Sequence, residues 1–275
     1  MDDQQGRHTR HPAVRVPSLA NGGFEATFTA HFETRTSRRT SRPRDRLAGD
    51  GTRGRAETGG SVVVDEDRRA QAAVVFDALG LSYEQAFADS APHRASLRWL
   101  VERLAPGSRV LDVGSGTGRP TAQTLAEAGH RVLGIDISPV MVDLAVRQVP
   151  GAEFRLADIR KTALPEASFD AAVAYFSLLQ MSRAEQAAVV AKLARAVRPG
   201  GFVALATVPL DLEDTEGLFM GQPVRVTSFG AEAFTELVSG AGLKVLAEEQ
   251  TVFTPRGPEA GPEPQLFLHC VREAG

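Results

Sequence analysis

The sequence predicts an α/β fold: an open, largely parallel sheet with helices on both faces and a helical cover at its N-terminal side. Three observations carry this. From about residue 61 onward, short apolar runs alternate with segments of helical periodicity at the spacing of βα units. The first well-defined run ends in a glycine cluster that leads into a helix. The last two runs are joined by a proline-rich link with no helical pattern, which argues for an antiparallel edge pair.

Taken in order, Val74 to Leu104 reads as mostly helical and lies ahead of the first strand as a cover. Val110-Leu111-Asp112-Val113 is a buried-strand run. Pro120 to Ala128 reads as a helix stopped by Gly129, and Arg131 to Asp136 as the second strand. Ser138 before Pro139 is an N-cap with proline in the first turn; Met141, Leu144, Ala145 and Gln148 follow at helical spacing until Pro150. Glu153 to Ala157 and Phe169 to Ser177 give the third and fourth strands. Ser182 with Glu185 is a capping box opening a helix to Val197, which Arg198-Pro199-Gly200-Gly201 breaks before a fifth strand over Phe202 to Val208. A helix over Ala231 to Val238 precedes two final strands, Leu243 to Phe253 and Gln265 to Val271.

Residues 1–60 are of a different kind. They hold 11 Arg, no Lys and seven acids, with Thr, Ser and Gly clusters and too little apolar surface to offset the entropy of ordering them. They read as a disordered Arg-rich leader; a basic arm for an anionic partner is the alternative. The working domain is then 61–275, with 61–105 as cover and 106–275 as core. The whole chain carries a net charge of −3, so setting the leader aside leaves an acidic domain, which disfavours a nucleic-acid partner. One cysteine, Cys270, excludes an internal disulfide framework and fits a cytoplasmic setting. No apolar run reaches the length of a membrane span, and no histidine pair has metal-ligand spacing, so neither a membrane nor a metal is expected.

The chemistry gathers at the strand ends. Asp112-Val113-Gly114-Ser115-Gly116-Thr117-Gly118 sits between a strand and a helix, where glycines let a ligand approach the backbone. The dinucleotide spacing is not met, because position 119 is Arg119, and no Gly-Lys-Ser/Thr follows for a phosphate loop. A carboxylate at Asp112 suits a ligand bearing an ammonium or sulfonium better than one bearing phosphates. Asp136, ending the second strand, stands where a ribose diol would be bound, since an ionised carboxylate accepts from both vicinal hydroxyls. Asp158 follows the third strand and can accept from an exocyclic adenine amine, with Ile137 and Ile159 on the two faces of the base.

These motifs together resemble the class I S-adenosylmethionine-dependent methyltransferase family, of the small-molecule type (methyltransferase domain 11/25-like). The resemblance covers about residues 70 to 275. It rests on Val110 to Gly118, Gly134-Ile135-Asp136-Ile137-Ser138, Ala157-Asp158-Ile159, Phe169-Asp170 and Arg198-Pro199-Gly200-Gly201. It implies a Rossmann-like seven-stranded sheet in order 3-2-1-4-5-7-6 with strand 7 antiparallel, and S-adenosyl-L-methionine as cofactor. By position it implies donor contacts from Gly114, Gly116 and Gly118, ribose binding by Asp136, adenine contacts from Ile137, Asp158 and Ile159, and support of the methionine end by Asp112. Tyr175, opening the segment that runs off the fourth strand towards the methyl, joins the donor-site residues.

The acceptor side carries fewer signals. Tyr83 and Phe87 in the cover, and Leu218-Phe219-Met220 after the fifth strand, can close an apolar lid over a small, partly apolar methyl acceptor. His93 and Tyr83 are the candidate catalytic side chains, His93 as a general base. His130 at a helix end, where a cation is favoured, and His269 in the last strand read as structural. The expected molecule is a monomer or homodimer. A methyltransferase acting on protein or RNA, and a protein that binds the donor without turnover, stand as alternatives. The former has only the leader's arginines in its favour, and the fourth strand lacks the Asn/Asp-Pro-Pro-Tyr/Phe signature of many nucleic-acid amino methyltransferases.

Overall fold

Strands that are apolar on both faces belong in the middle of a sheet covered by helices on both sides, and the two most buried runs, β1 (Arg109–Val113) and β4 (Phe169–Tyr175), stand there. The computed structural model describes residues 71–257 and 260–273; the expected leader and the first ten residues of the expected cover lie outside the described residues. β2 (Arg131–Asp136) and β3 (Glu153–Leu156) extend the sheet on one side. β5 (Val197–Thr207), β9 (Glu263–Arg272) and β8 (Leu243–Phe253) extend it on the other. The order is β3-β2-β1-β4-β5-β9-β8, and β9 runs antiparallel to both of its neighbours. This is the expected seven-stranded topology, with β8 and β9 as the sixth and seventh strands of the main sheet.

Period-two alternation divides the core. Leu111, Val113, Ala172 and Leu205 pack against Val190 and Leu193 of α6 (Arg183–Ala196) and Phe234 and Val238 of α7 (Ala231–Gly240). Val110, Val173, Ala204 and Phe267 face the other way, onto Leu97 and Leu100 of α3 (Ala91–Val101) and Ala122 and Leu125 of α4 (Thr121–Glu127). The capping box of α6 is formed: Ser182 Oγ accepts from the Glu185 amide at 3.3 Å, and Glu185 Oε2 accepts from the Ser182 amide at 2.7 Å. His130 closes α4 with its amide on the Leu125 carbonyl at 3.0 Å, but burial holds its imidazole below the usual range, so it is not the helix-end cation the sequence suggested.

The cover is helical as expected: α1 (described over 71–79), α2 (Leu81–Phe87) and then α3. A hairpin completes it. β6 (Thr215–Phe219) and β7 (Gln222–Val226) form a separate two-stranded sheet whose turn, Met220-Gly221, has φ of 50° and 79°. Two consecutive positive values are what a two-residue hairpin turn needs to match strand twist. Val224 of β7 is buried with Val75 and Leu79 of α1. The sequence reading took Leu218-Phe219-Met220 as one lid. The alternation of β6 instead turns Phe219 inward and leaves Leu218 59% and Met220 38% exposed.

Candidate active site

A cavity opens at the carboxyl ends of β1, β2, β3 and β4 and runs beneath α1, α2 and the β6–β7 hairpin. At one end its wall is the strand-end motifs; at the other it is aromatic.

The glycine loop is stitched to β2: the amides of Gly114 and Ser115 donate to the Ile135 carbonyl at 2.8 and 3.2 Å. Gly114 has φ 70°, and a Cβ there would stand 2.2 Å from Ser177 Cβ, so only glycine lets the loops after β1 and β4 touch. Gly114 and Gly116 line the cavity. Gly118 does not: it is a packing glycine, whose missing Cβ faces Phe154 and Val149 at 3.0 Å.

Asp136 faces the cavity with both oxygens oriented. Oδ2 accepts from the Gly116 amide at 2.8 Å and Oδ1 from the Ser138 amide at 2.9 Å, which leaves a free lone pair on each side for a vicinal diol. Burial raises its pKa, and the two amides oppose that shift. Ser138 caps α5 (Pro139–Gln148) through the Met141 amide at 3.0 Å, as the sequence predicts.

Ile137, Asp158 and Ile159 also reach the cavity wall. Asp158 is more occupied than a bare acceptor for an adenine amine: Arg160 donates to its Oδ1 at 3.1 Å through Nε and to its Oδ2 at 3.1 Å through Nη2, while Arg160 Nη1 reaches Glu185 Oε1 at 2.5 Å. The acid is thereby fixed to α6.

Two expected residues, Asp112 and His93, lie behind the cavity wall rather than on it, and a third, Tyr175, is shared between the wall and the layer behind it. Asp112 lies on the Val110 face of the sheet, 2% exposed, with Oδ2 lacking any partner. Burial, then the nearby Asp136, pushes its carboxyl up to about 8. His93 does not line the cavity. Its Nε2 pairs with Thr121 Oγ1 at 3.1 Å, its ring lies 4.3 Å from that of Tyr175, and burial beside Arg94 pushes it down to about 4. Its position on α3 turns the imidazole towards Thr121 of α4 rather than into the cavity. Tyr175 shows its ring to the cavity, but its hydroxyl points back to Ser96 Oγ at 2.9 Å, which also pairs with His269 Nε2 at 2.7 Å.

At the aromatic end, Tyr83 stands 5.7 Å from Phe76, 4.9 Å from Phe87 and 6.2 Å from Phe219, ring centre to ring centre. Glu263, at the start of β9, lines the same space and is one residue the sequence reading missed. Its only sequence signal was a charge at the edge of a buried strand. The described residues contain no group of histidines, cysteines and acids that could hold a metal ion.

A methyltransferase-domain family profile matches residues 110–201. The chain is 32% identical over 195 residues to methyltransferase GfsG of Streptomyces halstedii, a match covering 64% of this chain and 68% of that protein. It is 34% identical over 103 residues to malonyl-[acyl-carrier protein] O-methyltransferase of Serratia marcescens, where it covers 38% of this chain and spans only 39% of the relative. Among solved structures, 1,6-didemethyltoxoflavin-N1-methyltransferase of Burkholderia thailandensis superposes with a TM-score of 0.59 at 22% identity, over 80% of this chain and 94% of that one. With the glycine loop, the acid ending β2 and the sheet order all in place, the chain belongs to the class I S-adenosylmethionine-dependent methyltransferase family.

Proposed function

We propose that the protein transfers a methyl group from S-adenosyl-L-methionine to a small, partly apolar molecule. The observation that carries this is the two-sided fixing of Asp136 by the Gly116 and Ser138 amides, which presents a diol acceptor to the same cavity that holds the aromatic cluster. The donor fits the residues present. Asp112 Oδ2 and the hydroxyls of Ser115 and Ser177 are buried without partners near the glycine loop, a set suited to an ammonium and a carboxylate.

When bound, the donor supplies a methyl already activated on a sulfonium. Asp136 would hold the ribose, Ile137 and Ile159 the faces of the adenine, and Asp158 its amine. Asp112 would support the methionine end from behind the glycine loop. The ring of Tyr175 forms the floor, and α1, α2 and the hairpin exclude water; orientation of this kind can supply about 7–11 kcal/mol. Enclosure beneath the cover favours a small acceptor over a macromolecule. The lone thiol, Cys270, is buried, and a single cysteine, which can form no internal disulfide, is compatible with a reducing cytoplasm.

The test is twofold. Calorimetry should show S-adenosylhomocysteine binding to the protein, and incubation with labelled donor and cell extract should place label in the small-molecule fraction. No binding, or label only in protein or RNA, would reject the reading.

A further inference from the structure

Glu263 is a carboxylate in an apolar surrounding with one partner. Gln265 Nε2 donates to its Oε1 at 2.7 Å, and among the described residues no cation pairs with it. The residue lines the cavity together with the aromatic rings.

The sheet order says which end of the cavity this is. The strand ends that carry Gly114, Asp136 and Asp158 belong to β1, β2 and β3, whereas β9 stands two strands beyond β4, about 10 Å across the sheet. A donor lying over β1 to β3 would leave the rest of the cavity, on the side of β4 and Glu263, for the acceptor. Tyr83 of α2 lies between the two ends: its hydroxyl is kept protonated by burial and by the fields of Glu263 and Asp136. Burial likewise holds the Glu263 carboxyl above the ordinary range, nearer to that of an acidic hydroxyl.

Resting on the methyl-transfer reading above, we infer that Glu263 is the general base of this site, and that the acceptor is a planar aromatic molecule bearing a hydroxyl, seated among Phe76, Tyr83, Phe87 and Phe219. In the transfer, the acceptor oxygen bonds to the methyl carbon as the carbon–sulfur bond breaks. The electron pair of that bond stays on sulfur, which becomes a neutral thioether, and the hydroxyl proton passes to the carboxylate of Glu263. Tyr83 positions the acceptor oxygen by donating to it.

The experiment uses the full chain with phenol, 2-naphthol and 4-nitrophenol, which differ in acidity. Methylation from labelled donor is compared for wild type and Glu263→Gln, alongside S-adenosylhomocysteine binding and the absorbance of bound 4-nitrophenol. Loss of a general base costs about 10²- to 10⁴-fold, so the variant is expected to lose this on phenol and 2-naphthol and much less on 4-nitrophenol. With the homocysteine product bound, wild type should take up 4-nitrophenol in its neutral form, and the variant, relieved of a negative charge, should shift it towards the ionised form. An equal loss on all three phenols, or no phenol accepted while S-adenosylhomocysteine still binds, overturns the inference. Failure of S-adenosylhomocysteine to bind wild type sinks the underlying reading instead. Should Glu263→Gln not fold, Glu263→Asp withdraws the carboxylate by one methylene and must show the same graded loss.

Discussion

Ser138 Oγ donates to Asp77 Oδ1 at 2.5 Å while accepting from the Met141 amide, so the hydroxyl that caps the helix beside Asp136 also ties down the cover helix α1. Docking of the cover and shaping of the cavity beside Asp136 are therefore coupled through one side chain. Asp77→Ala is expected to leave the cap intact, to loosen residues 71–87 in hydrogen exchange, and to weaken S-adenosylhomocysteine binding several-fold. A hydrogen bond to a charged group contributes about 1.5–3 kcal/mol, so the melting temperature should fall by a few degrees.

Asp136→Asn keeps the size of the side chain and removes the charge that would accept from a diol. One of the two amide bonds is lost, because the new NH2 must face either the Gly116 or the Ser138 amide, so the free protein should melt a few degrees lower, and calorimetry should show S-adenosylhomocysteine affinity falling by about 10- to 100-fold. An unchanged dissociation constant would remove Asp136 from the ribose role.

Asp112 gives a pH dependence whose sign follows from its environment. Its carboxyl loses its proton near 4 in the unfolded chain and near 8 in the folded one, so between these values the folded state binds more protons and stability falls as pH rises. The slope contributed is at most about 1.4 kcal/mol per pH unit. Asp112→Asn should flatten thermal stability over pH 5–8. If a ligand ammonium meets this carboxylate, binding releases a proton below pH 8; affinity then rises with pH up to that point in wild type only, and the calorimetric heat varies with buffer ionisation enthalpy.

Gly114→Ala meets both a backbone and a packing objection. Alanine at φ 70° costs about 1–2 kcal/mol, and its Cβ would overlap that of Ser177. The loops after β1 and β4 must separate, so the variant is expected to lose donor binding altogether while melting only modestly lower. Retained binding would show that the loops can part without disturbing the site.

Ser96 is the hub of the layer behind the cavity. Ser96→Ala leaves the Tyr175 hydroxyl and His269 Nε2 buried without their partner, at about 1–3 kcal/mol for each orphaned group. A fall in denaturant midpoint without a change in m-value is the expected result.

The sequence by itself determined the sheet, because strands buried on both faces must be apolar throughout and helices must declare a stripe and a cap. Ser138, the Ser182–Glu185 box and the run Val110 to Val113 each state a local rule that the fold obeys. It also brought together the residues of the proposed donor end, since Gly114, Asp136 and Asp158 lie at successive strand ends and parallel βα units bring such ends together. Which side chains turn towards the cavity was decided only by tertiary structure. His93 and Glu263 lie 170 residues apart and read alike as isolated polar residues; packing of α3 against α4 turns the first inward, and the antiparallel return of β9 delivers the second to the cavity. The hairpin was equally hidden, because its strands are half-exposed and its inward face, Phe219 and Val224, exists only once α1 is there to cover. Local pattern fixes which elements form; the choice of partner for each face is a long-range contact that no window of sequence contains.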